Sequence, residues 1–487
     1  MSIAVIGTGY VGLVSAACFA ELGHEVIAVD TDSAKLKMLC DGQVPIYEEH
    51  LPELIARHRG SRLWFSSDTR NACEQSDVIF ICVGTPLSNT GEADLSFVEE
   101  VARELAQSLD RHKVIVEKST VPVGTGDAVY RTMLLHGASP ADFSIASNPE
   151  FLREGTAVMD FLYPDRILMG VSDKHSLKVL SEIYKPILDG SYRKWPGALV
   201  PDSQLREATP IIASVKSAEM IKHASNAFLA LKISFINSVA NLCERVGADV
   251  REVALGMGTD SRIGQRFLNP GIGYGGSCFP KDVLAFRSLA ASVGYDFGIL
   301  TQVMAVNEHQ KRHFVAKVRR AVWTLRGKKL GVLGLAFKGG TDDCRESPAI
   351  DIVRRLRAEG AEIVAYDPVA MQRARAILGD DSIGFAQDAY EVCNGAHALL
   401  ILTEWPEFAM MDWRRVRELL KLPIVLDGRN LLDLDAVETA GLRYCGVGTC
   451  PETAFLEPVR HMGNMRLVSM GVSGNSANEG AQPVPVS

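Results

Sequence analysis

The chain has 487 residues, 47% of them hydrophobic, enough for roughly three domains with substantial cores. Its formal net charge of −8 leaves no basic footprint, which excludes nucleic-acid binding as a main role, since neutralising phosphates needs clustered Lys and Arg. No uninterrupted apolar run approaches the roughly 18 residues that cross a bilayer, and the ten cysteines lack C-x-x-C spacing, which argues for reduced cytosolic thiols and against a disulfide framework or a zinc site.

The apolar N-terminus lacks the basic start of a signal peptide and reads as a buried first strand, Ile3 to Ile6. It runs into Gly7-Thr8-Gly9-Tyr10-Val11-Gly12 and an Ala-rich helix that ends near Gly23. In this G-x-G-x-x-G context Gly7 permits a tight turn, Gly9 lets backbone approach a pyrophosphate, and Gly12 allows close helix–strand packing. A second strand, Glu25 to Val29, delivers Asp30 about 20 residues on, placed to accept ribose hydroxyls and to repel a 2′-phosphate, so NAD is expected rather than NADP.

Continuous apolar runs at Asp77 to Val83 and Lys113 to Glu117 continue a doubly wound parallel sheet. Their ends lead into Gly84-Thr85-Pro86 and Lys118-Ser119-Thr120-Val121-Pro122, polar loops at the carboxyl edge where such sheets hold ligands, and Thr85 and Thr120 are candidate cofactor contacts. From about Gly190 to Pro210 a polar insert is read as a tolerated surface loop in preference to a lid or an oligomer contact.

A helical pattern from Val215 to Val246 is too long for a Rossmann helix and predicts a spine between domains. Lys222 and Asn226, one turn apart, share a face of that helix. On apolar surroundings the lysine either loses basicity or sits beside an anion, while His223 points elsewhere and is structural. Farther on, Cys278 precedes Phe279-Pro280-Lys281-Asp282, with Pro280 suited to a first helical turn. A helix N-terminus and Lys281 or Lys222 would lower the thiol pKa. Gly273, Gly275 and Gly276 are expected to clear the approach of a substrate to backbone.

A second nucleotide-binding-like unit starts at Lys328, with a degenerate glycine pattern around Gly331 and Gly334, a helix from Pro348, and a strand ending at Asp367. It points to a different nucleotide ligand or to a repeat kept for folding alone. Strands at Ala398 to Leu402 and Pro423 to Asp427 complete a C-terminal α/β domain, and Arg429 emerges where the last of them ends. Residues 471–487 turn to Gly, Ser, Asn and Pro without periodicity, as in a disordered tail.

Asn148-Pro149-Glu150-Phe151-Leu152-Arg153-Glu154-Gly155, the Lys222/Asn226 spine, Gly271 to Asp282, and Phe337-Lys338 through Arg345-Glu346-Ser347 together resemble the UDP-glucose 6-dehydrogenase family, over residues 1–465. The resemblance implies two Rossmann-like doubly wound domains joined by a long central helix. The expected boundaries are an NAD-binding domain over 1–212, a central spine over 213–310, a UDP-sugar-binding domain over 311–465 and a disordered tail over 466–487. It also implies NAD-dependent four-electron oxidation of a UDP-glucose C6 hydroxymethyl to a carboxylate, in a cytoplasmic homodimer or higher homo-oligomer.

By the same resemblance Cys278 is the nucleophile, Lys222 and Asn226 stabilise an oxyanion, Asp282 and Thr120 hold a water network, and Glu150 is the base for thioester hydrolysis, with Asp282 its competitor. Gly7, Gly9, Tyr10, Val11, Gly12, Asp30, Lys35, Thr85, Thr120, Glu154, Lys281 and Arg345 are expected at the cofactor. Glu150, Phe151, Leu152, Arg153, Glu154, Lys222, Asn226, Arg262, Phe267, Leu268, Asn269, Pro270, Gly271, Gly275, Lys338 and Arg429 are expected at the sugar nucleotide, with Lys338 and Arg429 supplying charge for the diphosphate and Arg262 reaching a neighbouring subunit. No metal is expected. The alternatives are a sister dehydrogenase for GDP-mannose, TDP-glucose or a UDP-N-acetyl sugar, a catalytically silent sugar-nucleotide sensor, and an alcohol dehydrogenase that stops at the aldehyde. Phe161 to Arg166 and Gly273-Tyr274-Gly275 look more like the UDP-glucose branch.

Overall fold

In β1 (Ser2–Ile6), Ile3 and Val5 face one apolar core while Ala4 and Ile6 face another, so the strand is buried on both sides, as its unbroken hydrophobicity requires. The computed structural model describes residues 1–88, 91–201, 207–379 and 383–450, and the expected tail lies outside them. With β1 run β2 (Glu25–Val29), β3 (Leu63–Ser66), β4 (Val78–Ile81), β5 (Lys113–Glu117), β6 (Phe143–Ser147), β7 (Arg166–Val171) and β8 (Thr209–Ala213). Their order is β3-β2-β1-β4-β5-β6-β7-β8, parallel except where β7 pairs antiparallel with β6. A second sheet orders β9 (Lys329–Leu333), β10 (Glu362–Tyr366), β11 (Gly384–Phe385), β12 (Ala398–Ile401), β13 (Ile424–Asp427) and β14 (Arg443–Gly446) as β11-β10-β9-β12-β13-β14, all parallel. Each sheet reverses winding beside its first strand, β1 next to β4 and β9 next to β12, which opens a crevice at the carboxyl ends.

The two units repeat one device. Gly7 (φ +100°) ends β1 where a Cβ would lie 2.7 Å from the Cys82 carbonyl oxygen; Gly334 (φ +93°) ends β9 where a Cβ would lie 2.3 Å from the Thr403 Cβ. Asp30 after β2 accepts from the Thr8 amide at 2.8 Å, and Asp367 after β10 accepts from the Leu335 and Ala336 amides at 2.7 and 3.0 Å. Asp367 is fully buried and also takes the Val369 and Ala370 amides, so its carboxylate is consumed by the protein and cannot reach a ribose. Asp30, by contrast, keeps its side chain 11% exposed.

The spine helix, Val215–Val246, starts under a Ser214 side chain that accepts from the Ser217 amide and stops at Gly247 (φ +79°). It packs on β7 and on the helices Phe279–Ser292 and Gly298–Val322, and its Ile236, Ala240 and Cys243 enter the C-terminal core. By length and apolar composition this helix could cross a membrane. Its buried polar residues find partners within the fold instead: Glu219 accepts from the Gly124 and Gly126 amides, Lys222 and Asn226 meet carboxylates, and Glu244 holds His313 and Lys317.

The insert corrects the expectation of a tolerated surface loop over the part described. Tyr192 is buried, its hydroxyl donating to Glu21 at 3.1 Å, and Trp195 packs edge-on against it with ring centroids 5.7 Å apart. Ala198 and Leu199 close over the N-terminal core, and residues 202–206 lie outside the described residues.

Candidate active site

The fingerprint helix, Tyr10–Glu21, begins at Gly9 without any side-chain cap, and a Cβ on Gly9 would meet nothing within 4 Å. Its first amides are therefore left to an outside acceptor, with open space in front of them. Gly12 cannot be replaced, since a Cβ there would lie 1.8 Å from the Gly7 carbonyl oxygen. Tyr10 and Val11 are half-buried in the first turn. Burial alone would raise the Asp30 carboxyl, but hydrogen bonds from Thr8, Asp32 and Lys35, the last at 2.9 Å, hold it down at about 2 and keep it ionised. An anion cradle with an ionised carboxylate at the end of β2 fits a dinucleotide without a 2′-phosphate. Beside it the Thr85 hydroxyl donates to the Thr120 carbonyl oxygen at 3.0 Å and accepts from Lys281 at 3.2 Å, so these three residues meet at the carboxyl edge of β4 and β5.

Cys278 is the N-cap of the helix Phe279–Ser292, with proline in its first turn. Asp282, one turn along, is fully buried and accepts from the Asn226 amide nitrogen at 2.6 Å, while Lys281 lies 2.9 Å from its other oxygen. Lys222 Nζ donates to Glu150 Oε1 at 3.1 Å and lies 5.1 Å from the Phe151 ring centroid. Of the two readings open for Lys222, the neighbouring anion prevails: burial works against its charge, yet Glu150, Cys278 and Asp282 raise its pKa. The spine thus brings Lys222 and Asn226 against residues from the loop after β6 and from the helix behind Cys278.

The thiol itself corrects the expectation of a lowered pKa. Burial, reinforced by Glu150 and Asp282, pushes Cys278 up to about 11, and Lys222 and the Ser277 hydroxyl 3.5 Å away offset only part of this. Its position at a helix start does not outweigh its partial removal from water. The neighbouring glycines have a packing reason besides the expected one. A Cβ on Gly273 would meet Asn307 Oδ1 at 2.6 Å, on Gly275 the Glu346 carbonyl oxygen at 2.2 Å, and on Gly276 the Phe337 ring at 2.8 Å, so the run is small because the C-terminal unit and a spine-side helix pack directly on it.

Glu154 stands in this seam. Ser277 donates to it at 2.9 Å and Arg345 at 3.4 Å, Arg345 being held in turn by Asp343 at 2.7 Å; burial and Asp343 push the Glu154 carboxyl up to about 7. Arg429 spans the same seam, donating to the carbonyls of Phe337 (2.6 Å), Leu402 (2.9 Å) and Gly273 (3.3 Å). Lys338, by contrast, makes no hydrogen bond or ion pair among the described residues, and burial lowers its pKa. Gly271 donates to Asn237 of the spine at 2.8 Å; Leu268 and Pro270 are buried, Asn269 exposed, and Phe267 sits at φ +65°. Leu152 packs on the N-terminal core.

Two expected contacts are turned away within one chain. Arg262 is 87% exposed and paired with Asp260 at 2.6 Å, and Arg153 is exposed and paired with Asp160 at 2.6 Å. Sequence reasoning missed Lys118, buried behind Glu150, which donates to Asn148 Oδ1 at 3.0 Å beside the Tyr184 hydroxyl and is pushed by burial down to about 8. Its place directly after β5 was the available signal. Among the described residues no group of three or more His, Cys, Asp or Glu is arranged to hold a metal ion.

Models of the UDP-glucose/GDP-mannose dehydrogenase family match the chain with an NAD binding domain over residues 1–188, a central domain over 216–309 and a UDP binding domain over 331–434. The chain belongs to this family. Within the family it is 45% identical over 457 residues to the UDP-glucose 6-dehydrogenase TuaD of Bacillus subtilis, covering 94% of this chain and 95% of that one. It is also 45% identical to the UDP-glucose 6-dehydrogenase of Rhizobium meliloti, covering 92% and 99%. Among solved structures it is similar to a UDP-glucose dehydrogenase from the archaeon Pyrobaculum islandicum, at 38% identity and a TM-score of 0.81, covering 92% of this chain and 97% of that one. Membership makes the protein an NAD-dependent oxidoreductase, and the open first crevice is that of the family's NAD binding domain.

Proposed function

We propose that the protein oxidises UDP-glucose at C6 to UDP-glucuronate, passing four electrons to two molecules of NAD. The observation that carries this reading is the cluster in which the half-buried Cys278 meets the buried Lys222, Asn226, Asp282 and Glu150, since a thiol beside the fixed ammonium serves no purpose in binding alone. The UDP-glucose relatives at 45% identity support the choice of sugar over the sister substrates.

Gly7 to Gly12 would hold NAD, with Asp30 and Lys35 at its adenosine side, and the bound cofactor would supply the hydride acceptor for both oxidations at C6. Asp282 and Thr120 hold the water through which the hydroxyl proton leaves, and Lys222 and Asn226 stabilise the oxyanion. Cys278 Sγ adds to the aldehyde carbon, forming a C–S bond, and its proton passes to the aldehyde oxygen, which gives a thiohemiacetal. Loss of the second hydride, with the hydroxyl proton leaving through the same water, gives a thioester on the same sulfur. Glu150 takes a proton from the attacking water, the C–S bond breaks, and the carboxylate departs as the thiol is restored. A thiol held neutral until an aldehyde arrives does not consume other electrophiles. Phe151, Leu152, Glu154, Phe267 to Gly271, Gly275, Lys338 and Arg429 line the sugar-nucleotide side, with Lys338 free to meet the diphosphate; Glu154, Lys281, Thr85 and Arg345 close on the nicotinamide side.

We also assign residues 1–212, 213–310 and 311–465 to the cofactor, spine and sugar-nucleotide domains, and a homodimer through the spine. Phe228, Phe235 and Leu242, at seven-residue spacing on that helix, are all half or more exposed, and Lys232 ties the loop carrying Arg262 to the same helix at 3.1 Å. The ten cysteines, all in the thiol form, support a cytoplasmic location. The test is a panel of UDP-, TDP- and GDP-sugars with NAD and NADP. Turnover is expected with UDP-glucose and NAD; a strong preference for GDP-mannose or a UDP-N-acetyl sugar would reassign the substrate, and no turnover at all would favour the sensor.

A further inference from the structure

Glu48 belongs to no helix or strand and to none of the motifs above, yet it is buried where three parts of the molecule meet. One carboxylate oxygen accepts from the Gly155 amide at 2.7 Å and from the hydroxyl of Tyr10, and the other accepts from the Ala157 amide at 2.6 Å. The Tyr10 hydroxyl itself accepts from the Gly155 amide at 2.8 Å. Tyr10 is the first residue after the Gly9 turn, whose amides face the cofactor crevice. Gly155 ends the segment Glu150 to Glu154, and a Cβ on it would lie 2.3 Å from the Gly340 carbonyl oxygen of the C-terminal unit. Gly155 sits at φ +86°, so no other residue could bring its amide to this carboxylate without strain.

From this junction we infer that Glu48 is a positioning residue that couples the NAD crevice to the sugar-nucleotide loop, so that binding at either site prepares the other. The inference rests on the reading of UDP-glucose as substrate. A pyrophosphate drawn onto the amides behind Gly9 fixes the turn that carries Tyr10. Tyr10 then fixes Glu48, and Glu48 fixes the backbone of Gly155 and Ala157. The loop between Glu150 and Gly155, which carries the partner of Lys222 and the Ser277-bound Glu154, is thereby set by the same contacts. Ordering done by the first ligand no longer opposes the second, which makes the two affinities mutually dependent.

The test is the affinity of UDP-glucose, measured by titration calorimetry, for the full-length protein with and without saturating NADH. The wild type is expected to bind UDP-glucose roughly fivefold or more tightly with NADH present, the lower end of ordinary coupling. Glu48→Gln, whose amide cannot accept from both Gly155 and Ala157, and Tyr10→Phe, which leaves the carboxylate's hold on those amides intact, are both expected to bring the ratio to within about twofold of one. A wild-type ratio near one, with UDP-glucose bound in both arms, overturns the coupling and leaves the substrate reading standing. Variants that melt earlier but keep the wild-type ratio show a mere structural staple and overturn it as well. No binding of UDP-glucose in either arm overturns both.

Discussion

Lys222 and Glu150 form a buried ion pair, 3.1 Å apart, with side chains only 4% and 5% exposed. Each charge is tolerable only because of the other. The pair fixes a permanent positive charge beside Cys278 in a pocket where burial alone would have favoured a neutral amine. Lys222 is therefore built to stabilise developing negative charge rather than to take a proton.

Replacing Lys222 with Met should lower kcat by roughly 10²- to 10³-fold, the usual effect of removing one preorganised oxyanion donor. It should also cost about 3–5 kcal/mol, because Glu150 is left buried without a partner. Adding Glu150→Gln should recover part of the melting temperature and none of the turnover. Recovery of turnover would show that Lys222 serves only to neutralise Glu150 and that Glu150 is not the hydrolysis base.

Cys278→Ala should bind NAD and UDP-glucose normally and form acid at least about 10³-fold more slowly, as expected on loss of a nucleophile. Equilibrium titration and a single-turnover assay read the two effects separately. Near-normal acid formation would remove the thiol from the chemistry.

With burial holding Cys278 at about 11, its thiolate fraction in the unliganded protein grows tenfold per pH unit through neutrality and beyond. Alkylation by iodoacetamide, followed by mass spectrometry at this cysteine, should accelerate about tenfold per unit from pH 7 to 9. A rate that levels off near pH 7 would mean a lowered thiol pKa.

Glu117 at the end of β5 is fully buried, neither carboxylate oxygen has a hydrogen-bond partner, and burial with Glu219 nearby pushes its pKa up to about 8. Its folded-state pKa is raised, so its contribution is present below the unfolded value near 4.5 and is lost as pH climbs through 8. Stability should fall on the order of 1 kcal/mol per pH unit across that window from this group alone. Glu117→Gln should escape the loss, its melting-temperature advantage over wild type widening from pH 5 to pH 8. A difference that stays constant with pH would show that Glu117 is ionised in the fold.

The fold was legible where local pattern decides structure. The spine runs from Val215 to Val246, as its periodicity predicted, because Ser214 and Gly247 cap it, and β2 and β5 keep the bounds of their apolar runs. The pairing of Lys222 and Asn226 followed from one helical turn. What stayed hidden depends on residues distant in sequence. The thiol pKa is set by burial and by Glu150, far from Cys278 in the chain, and Asp282, a turn along its helix, and Glu154 meets Arg345 only across a domain seam. Glu48 sits in a loop with no period, so nothing in its surroundings along the chain marks it.

The thioester route is tested most directly by counting NADH formed per UDP-glucose consumed, with the sugar product identified in the same reaction. Two NADH and UDP-glucuronate are the predicted result. One NADH with release of the C6 aldehyde would contradict it.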